Sequence, residues 1–195
     1  MDTGIIILAA GSSSRLGRPK QLLVYNHKTL LQHVIDEAKL ADLSPIVIVV
    51  GANADELTKS LNLSEVNIII NESWETGMSS SIAAGLAALT DNKPQNMIIS
   101  VCDQPQINAQ LFSDLVRMKN KTGSGIVASA YAGTLGTPVL FGEKYYDTLL
   151  NLAGNEGAKK LLNLHEKDVS FIPFEDGQID IDTEEDYLNL QNNQL

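Results

Sequence analysis

The stretch that most constrains this chain is its first apolar run together with the small, polar and basic residues directly after it, Ile5-Ile6-Ile7-Leu8-Ala9-Ala10-Gly11-Ser12-Ser13-Ser14-Arg15-Leu16-Gly17-Arg18-Pro19-Lys20. Four large apolar residues in succession suit a central parallel strand buried on both faces; a strand with one wet face would alternate instead. Ala9, Ala10 and Gly11 carry almost no side chain, so the backbone beyond the strand can lie directly against a ligand. Arg15, Arg18 and Lys20 then place three cations within six residues of a chain whose formal net charge is -10. Close backbone approach, amide donors and clustered positive charge are what a polyphosphate requires. Alternatively, the segment is an ordinary polar connection with its cations in solvent.

Two standard phosphate loops are excluded by spacing. Leu16 stands where a Walker loop has its second glycine, and Gln21 follows Lys20 in place of Ser or Thr. Ser13 occupies the second glycine position of the dinucleotide fingerprint.

The rest of the chain repeats one rhythm. Lys28 to Leu40 carries apolar residues at helical spacing (Leu30, Leu31, Val34, Ile35, Ala38), and Ile46 to Val50 is a second β-branched run. Asn53 with Glu56 can open the next helix, whose inner face holds Leu57 and Leu61. Val66 to Ile70 reads as a third strand, and a helix with Ile82, Leu86 and Leu89 comes after the serines at 79–81, which can cap it. Asn96 to Val101 reads as a fourth strand, Asn108 caps a helix containing Leu111, Phe112 and Leu115, and Gly125 to Ala130 is a further strand. Strands alternating with helices imply a three-layer α/β sandwich with a mostly parallel, Rossmann-like sheet. In that architecture, binding sites collect at the carboxyl ends of the strands.

At 195 residues the expectation is a single domain spanning 1–195. The first apolar run has no basic segment before it and is too short for a signal or transmembrane helix, so a cytoplasmic protein without membrane attachment is expected. One cysteine, Cys102, excludes an intrachain disulfide and a cysteine-cluster zinc site, and reads as a packing residue. An excess of 24 acidic over 14 basic residues argues against nucleic-acid binding but not against a nucleotide, because a local basic loop and a divalent cation supply counter-charge. His27, His33 and His165 have no metal-like spacing and receive no role.

The pattern LAAG-x-S-x-R-L-G-x-PK resembles the opening signature of molybdenum cofactor cytidylyltransferase-like nucleotidyltransferases, relatives of the nucleotide-sugar enzymes. The resemblance implies the nucleotide-diphospho-sugar transferase-like fold. It assigns Leu8, Ala9, Ala10 and Gly11 to the nucleotide and Arg15 and Lys20 to its phosphates. Asn71-x-x-Trp74-x-x-Gly77-Met78-x-x-Ser81 resembles the family's base and ribose segment, and on that resemblance Asn71, Gly77 and Ser80 are expected near the base. Cys102-Asp103-Gln104-Pro105 resembles the metal-binding turn, with Asp103 the first ligand of Mg²⁺; by itself Asp103 is equally a turn residue before proline. Gly136 and Pro138 match the wall of the acceptor pocket, or else form a strand-entry turn. Gly154-Asn155-Glu156-Gly157-Ala158-Lys159 resembles an element in which the family usually has Asp at the position of Asn155.

Thr183 and Asp186 make a helix-start pair, leaving Asp180 and Asp182 on one face of a preceding strand. The segment Asp180-Ile181-Asp182-Thr183-Glu184-Glu185-Asp186 resembles the family's D-[IV]-D-T-P-E-D and makes Asp182 the second metal ligand. The implied reaction moves a nucleoside monophosphate from an NTP to an acceptor's terminal phosphate and releases pyrophosphate. Asp103, Arg15 and Lys20 are its expected catalytic residues. Ala10 and Pro19 favour the cytidylyl branch, hence CTP, with molybdopterin as acceptor and a molybdoenzyme or chaperone as delivery partner. The alternatives are GTP, a sugar phosphate or methylerythritol phosphate as acceptor, or a non-catalytic nucleotide or cofactor carrier.

Overall fold

Strand β1 (Thr3–Ala9) is buried along its whole length and has parallel neighbours on both sides. The computed structural model describes residues 2–60, 65–89, 93–154 and 157–192. After β1 and its loop, a small hairpin, β2 (Val24–Tyr25) and β3 (Lys28–Thr29), leads into α1 (Leu30–Leu40), which Thr29 caps by accepting a hydrogen bond from Gln32 N at 3.1 Å. The helix expected from Lys28 therefore starts at Leu30, because Lys28 and Thr29 pair with Tyr25 and Val24. β4 (Ile46–Val50), α2 (Ala54–Ser60), β5 (Asn67–Ile70), α3 (Met78–Ala87) and β6 (Asn96–Val101) complete the parallel half. Leu61, expected on the inner face of α2, lies outside the described residues.

The second half brings α4 (Ala109–Thr122), β7 (Ile126–Tyr131), β8 (Thr134–Gly142), α5 (Tyr146–Leu150), α6 (Ala158–Leu164), β9 (Val169–Pro173) and α7 (Glu184–Asn192). Asn108 caps α4 as expected, accepting from Leu111 N at 2.9 Å. The seven long strands make one sheet in the order β5-β4-β1-β6-β8-β7-β9. All its pairings are parallel except those of β8, which runs antiparallel to β6 and β7. The reversal comes from the hairpin at Ala132 and Gly133, both at positive φ (47° and 72°), where no crossover helix intervenes between β7 and β8.

The alternate residues of β1 and β4 serve opposite faces. Ile5, Ile7, Ile48 and Val50 pack with Leu31, Val34 and Ile35 of α1 and Phe112 and Leu115 of α4, while Ile6, Leu8, Val47 and Val49 pack with Ile82 and Leu86 of α3 and Leu161 and Leu162 of α6. This gives the three layers. Each fully buried aliphatic side chain contributes about 1.5–3 kcal/mol, whereas an exposed ion pair contributes about 0–1. Core packing therefore fixes the frame, and the charged groups at its edge are free to serve another purpose.

A third, smaller apolar cluster lies outside the sheet. Leu16, Leu23, Tyr25 and Leu30 from the first thirty residues pack with Ile181, Tyr187 and Leu190. The segment before α7 is not a strand, as expected for 179–182, but an extended tether making one ladder-like bond, Ile181 N to the Asp103 carbonyl at 3.0 Å. The start of α7 is the expected reciprocal cap: Thr183 N and Oγ1 both donate to Asp186 Oδ2 (2.7 Å each), and Asp186 N donates to Thr183 Oγ1 (3.2 Å).

Candidate active site

The loop after β1 is held by a residue that sequence reasoning passed over. Gln21, only 1% exposed, donates its amide to the carbonyls of Ala9 (2.9 Å) and Gly11 (3.0 Å). The intervening carbonyl of Ala10 accepts from Ala52 N at 3.1 Å. Three successive carbonyl dipoles are thus satisfied by protein donors and are not directed at a ligand, which suits an anion. Ser13 (φ 55°) accepts from Lys20 N through Oγ at 3.1 Å, so the cation's backbone is fixed to the same turn. A side chain at Gly11 would meet no protein atom within 4 Å. The protein's own packing therefore gives no reason for glycine there, and the room in front of the turn remains.

Four charged residues from three parts of the sequence converge beside this loop. Lys20 Nζ donates to Asp103 Oδ2 at 2.6 Å and to Asp182 Oδ1 at 2.8 Å, and Arg15 Nη2 donates to Asp182 Oδ2 at 2.7 Å. The fold explains the meeting: Lys20 comes after β1, Asp103 after the neighbouring β6, and the 179–182 tether is pinned to the Asp103 carbonyl. Burial works against the charge of Lys20, but the Asp103 charge and the hydrogen bonds to both carboxylates outweigh it and raise its pKa. The hydrogen bond from Lys20 holds the Asp182 carboxyl below its ordinary value. Asp180, unassigned by motif, is pushed upward by burial and then by the charges of Asp182 and Asp103, so it belongs to the same acidic group. Arg18 is used elsewhere, in a two-pronged pair with Glu184 (2.7 and 2.9 Å) and over the ring of Tyr187.

Among the described residues no three or more His, Cys, Asp or Glu side chains are grouped to hold a metal ion. Two carboxylates close enough to share one ammonium nevertheless fit Mg²⁺, which takes one or two carboxylates and completes its shell with phosphate oxygens and water.

A cleft of about 440 Å³ runs in front of the loop, lined by Leu8 to Ser12, Lys20, Trp74, Gly77, Cys102 and Asp103 among others. Of the expected nucleotide residues, Leu8, Ala9, Ala10, Gly11, Lys20 and Gly77 line it; Arg15, Asn71 and Ser80 do not. Gly77, at φ 116°, turns the chain into α3 in a conformation that L side chains avoid. The serines at 79–81 lie inside the first turns of α3 and do not cap it. Asn71 stands behind this wall: it donates to Ser80 Oγ (2.9 Å) and Ser81 Oγ (3.0 Å) and accepts from Ser73 N (3.0 Å), with all three bonds inside the protein. Cys102 is a packing residue as expected, its thiol pushed up to about 12 by burial and by the Asp103 charge.

Asp103 also borders a second cavity of about 380 Å³ with Gln104, Tyr131, Thr137 and Asp180. Gly136 and Pro138 flank Thr137 at this cavity without lining it. Gly136 accommodates Tyr131, whose hydroxyl would lie 2.0 Å from a Cβ there, and Pro138 offers its carbonyl to Ser129 Oγ at 2.8 Å. Asn155 lies outside the described residues, but its neighbour Gly154 accepts from Ser79 Oγ at 2.7 Å, so that loop abuts the start of α3. A concavity of about 980 Å³ between α6 and β9 shares Tyr131, Ala132, Thr134 and Gln178 with the second cavity and is lined by none of Arg15, Lys20, Asp103 and Asp182.

The family profile described as the MobA-like NTP transferase domain matches residues 5–169, stopping short of Asp182. The chain is 33% identical over 134 residues to nicotine blue oxidoreductase of Paenarthrobacter nicotinovorans, covering 68% of this chain and 63% of that protein. It is 26% identical over 189 residues to the molybdenum cofactor cytidylyltransferase of Escherichia coli, covering 95% and 94% of the two chains. The crystal structure of Rv0371c from Mycobacterium tuberculosis superposes with a TM-score of 0.86 at 26% identity, over 98% of each chain. A manganese complex of that protein superposes at 0.81 with 23% identity, over 98% of this chain and 99% of that one.

Proposed function

Because the chain belongs to the MobA-like NTP transferase domain family, we propose that it transfers CMP from CTP to the terminal phosphate of a molybdopterin-type acceptor, with release of pyrophosphate. The observation that carries this reading is the Lys20-Asp103-Asp182 group at the edge of the loop-lined cleft. In it the turn from Leu8 to Gly11 receives the nucleotide, and Arg15 and Lys20 compensate charge on its phosphates. An acceptor phosphate oxygen attacks the α-phosphorus in line as the bond to the β-phosphate oxygen breaks. Positioning and charge compensation suffice for this step, with no enzyme nucleophile. Asp103 and Asp182 would hold Mg²⁺, which when bound would supply a counter-charge to the phosphates.

Gly77 bounds the base and ribose, and Asn71 and Ser80 support that wall from behind. The acceptor approaches from the second cavity, where Gly136 and Pro138 set the position of Thr137. Ala10 and Pro19 support CTP over GTP. The reading places the enzyme in the cytoplasm, handing its product to a molybdoenzyme or chaperone. No helix among the described residues is long and apolar enough to cross a membrane.

The test is pyrophosphate release with Mg²⁺ and purified molybdenum cofactor, comparing CTP, GTP, ATP and UTP, with Asp103→Ala as control. Release with CTP that the variant loses is expected. No release with any nucleotide and intact cofactor would refute the reading. The higher identity to nicotine blue oxidoreductase favours a second reading, a redox enzyme on the same scaffold. Oxidation of a reduced nicotinamide nucleotide on addition of nicotine blue would support it, and no oxidation by a preparation active in pyrophosphate release would set it aside.

A further inference from the structure

The geometry points to Lys20 as a built-in occupant of the divalent-cation position, so that the cation joins the site only together with a nucleotide. This deepens the nucleotidyl-transfer reading and rests on its assignment of Asp103 and Asp182. The ammonium lies 2.6 Å from Asp103 and 2.8 Å from Asp182, bridging the two carboxylates that would have to be shared by a metal ion. The Lys20, Asp103 and Asp182 side chains are only 16%, 20% and 27% exposed, so the interaction is poorly screened and the site is neither empty nor electrostatically open.

A dication sharing the same oxygens would face the ammonium at near-contact distance, a like-charge arrangement that disfavours simultaneous binding. Lys20 can leave only when another anion receives it. Its side chain also lines the 440 Å³ cleft beside the Ala9–Ser12 turn, where the triphosphate is expected. A phosphate there can take over the ammonium as the cation takes over the carboxylates. Arg15, paired with Asp182 but 70% exposed in its side chain, can move to the same anion. The device keeps one positive group between the two carboxylates at every stage, with Arg15 on the outer oxygen of Asp182, and the lysine and the cation exchange places as the nucleotide enters.

The inference is tested with Mn²⁺ alone, read by electron paramagnetic resonance as loss of the free-ion signal, on the wild type, Lys20→Met and Lys20→Gln. Both variants remove the charge while keeping an unbranched side chain, and circular dichroism checks that each is folded. Without nucleotide the wild type is expected to leave Mn²⁺ free. The variants are expected to bind one ion at least tenfold more tightly, and adding Asp103→Asn to Lys20→Met should abolish the gain. In the wild type, a non-hydrolysable CTP analogue should bring Mn²⁺ into the site, read as signal loss beyond that which the analogue causes without protein. If nucleotide-free wild type binds Mn²⁺ as tightly as the folded variants, or neither variant gains affinity, the inference is overturned while pyrophosphate release can still stand. If the variants gain Mn²⁺ binding but the wild type releases no pyrophosphate, the exchange stands and the proposed reaction falls. Should both variants fail to fold, Mn²⁺ binding by the wild type that is unaffected by the analogue overturns the inference alone.

Discussion

Asn71→Ala separates a residue that reads a base from one that holds a wall. Asn71 is 6% exposed and its side chain makes three hydrogen bonds, two donated to the hydroxyls of Ser80 and Ser81 and one accepted from Ser73 N. Each such bond contributes about 1 kcal/mol net. Ser81 is itself buried and Ser73 N loses its acceptor, so water restores only part of what truncation removes. A loss of about 2–3 kcal/mol is expected, seen in urea titration as a lower midpoint at unchanged slope. For a chain of this length that corresponds to a fall in Tm of roughly 5–10 °C. Asn71→Asp keeps the acceptor for Ser73 N and loses both donations, so it should lose an intermediate amount. In a double-mutant cycle with Ser81→Ala, about 1 kcal/mol of coupling should remain, because one bond is common to both. A folded Asn71→Ala protein within about 0.5 kcal/mol of the wild type would refute the bracing role, since that is the range of a surface change.

Gly11→Val should leave the urea midpoint within about 0.5 kcal/mol, because a Cβ there meets nothing in the protein, and should weaken CTP binding at least tenfold by isothermal titration; equal affinity would remove Gly11 from the nucleotide site. Trp74 is the only tryptophan and lines the cleft, so CTP should change the intrinsic emission of the wild type and leave Trp74→Phe silent; an unchanged spectrum at saturating CTP would place the nucleotide elsewhere. Asp168 is pulled to about 2: burial opposes its charge, but Lys144 Nζ at 2.6 Å, the Tyr145 hydroxyl and Gly125 N outweigh that opposition. A depressed carboxyl stabilises the fold above its unfolded value of 3.8 and ceases to do so as pH falls toward 2. Asp168→Asn should therefore flatten the loss of stability across that window, by about 1 kcal/mol once the exposure of Lys144 is allowed for. An unaltered acid transition in the variant would contradict the clamp.

The central strands were legible because burial on both faces leaves an uninterrupted apolar run, as in Ile5–Leu8 and Ile46–Val50, and these runs are too short and, at Ile46–Val50, too β-branched for a buried helix. Strand direction was not, because the same alternation serves either sense; the reversal of β8 depends on a two-residue turn at Ala132 and Gly133. Lys28 and Thr29 misled because a β-bridge of two residues leaves no periodicity before a helix whose apolar spacing begins at Leu30.

At the site, Lys20, Asp103 and Asp182 are separated by up to 162 residues along the chain, and no local signal joins them. Family resemblance alone links them in the sequence, and the geometry brings them together. Gln21 was missed for a different reason. A glutamine beside a basic loop reads as solvated, and only the two backbone carbonyls it satisfies explain why it is buried. Asp180 could have been found, since it alternates with Asp182, whose charge acts on it more than that of Asp103, but its burial and the approach of Asp103 come from parts of the chain far away in sequence.

The small cluster that joins Leu16, Leu23 and Tyr25 to Ile181, Tyr187 and Leu190 has a consequence for the order in which the molecule comes into being. The phosphate-type loop is made among the first twenty residues, yet its second carboxylate and the apolar lid over Leu16 come from residues 181–190. During synthesis, the sheet from β1 to β6 can form while Lys20 has only Asp103 to pair with and the cluster around Leu16 lacks Ile181, Tyr187 and Leu190. The site therefore closes last, when the tether reaches the Asp103 carbonyl and α7 settles on the hairpin. A chain halted before Ile181 would keep most of its core but would lack the pair of acids on which the proposed chemistry depends.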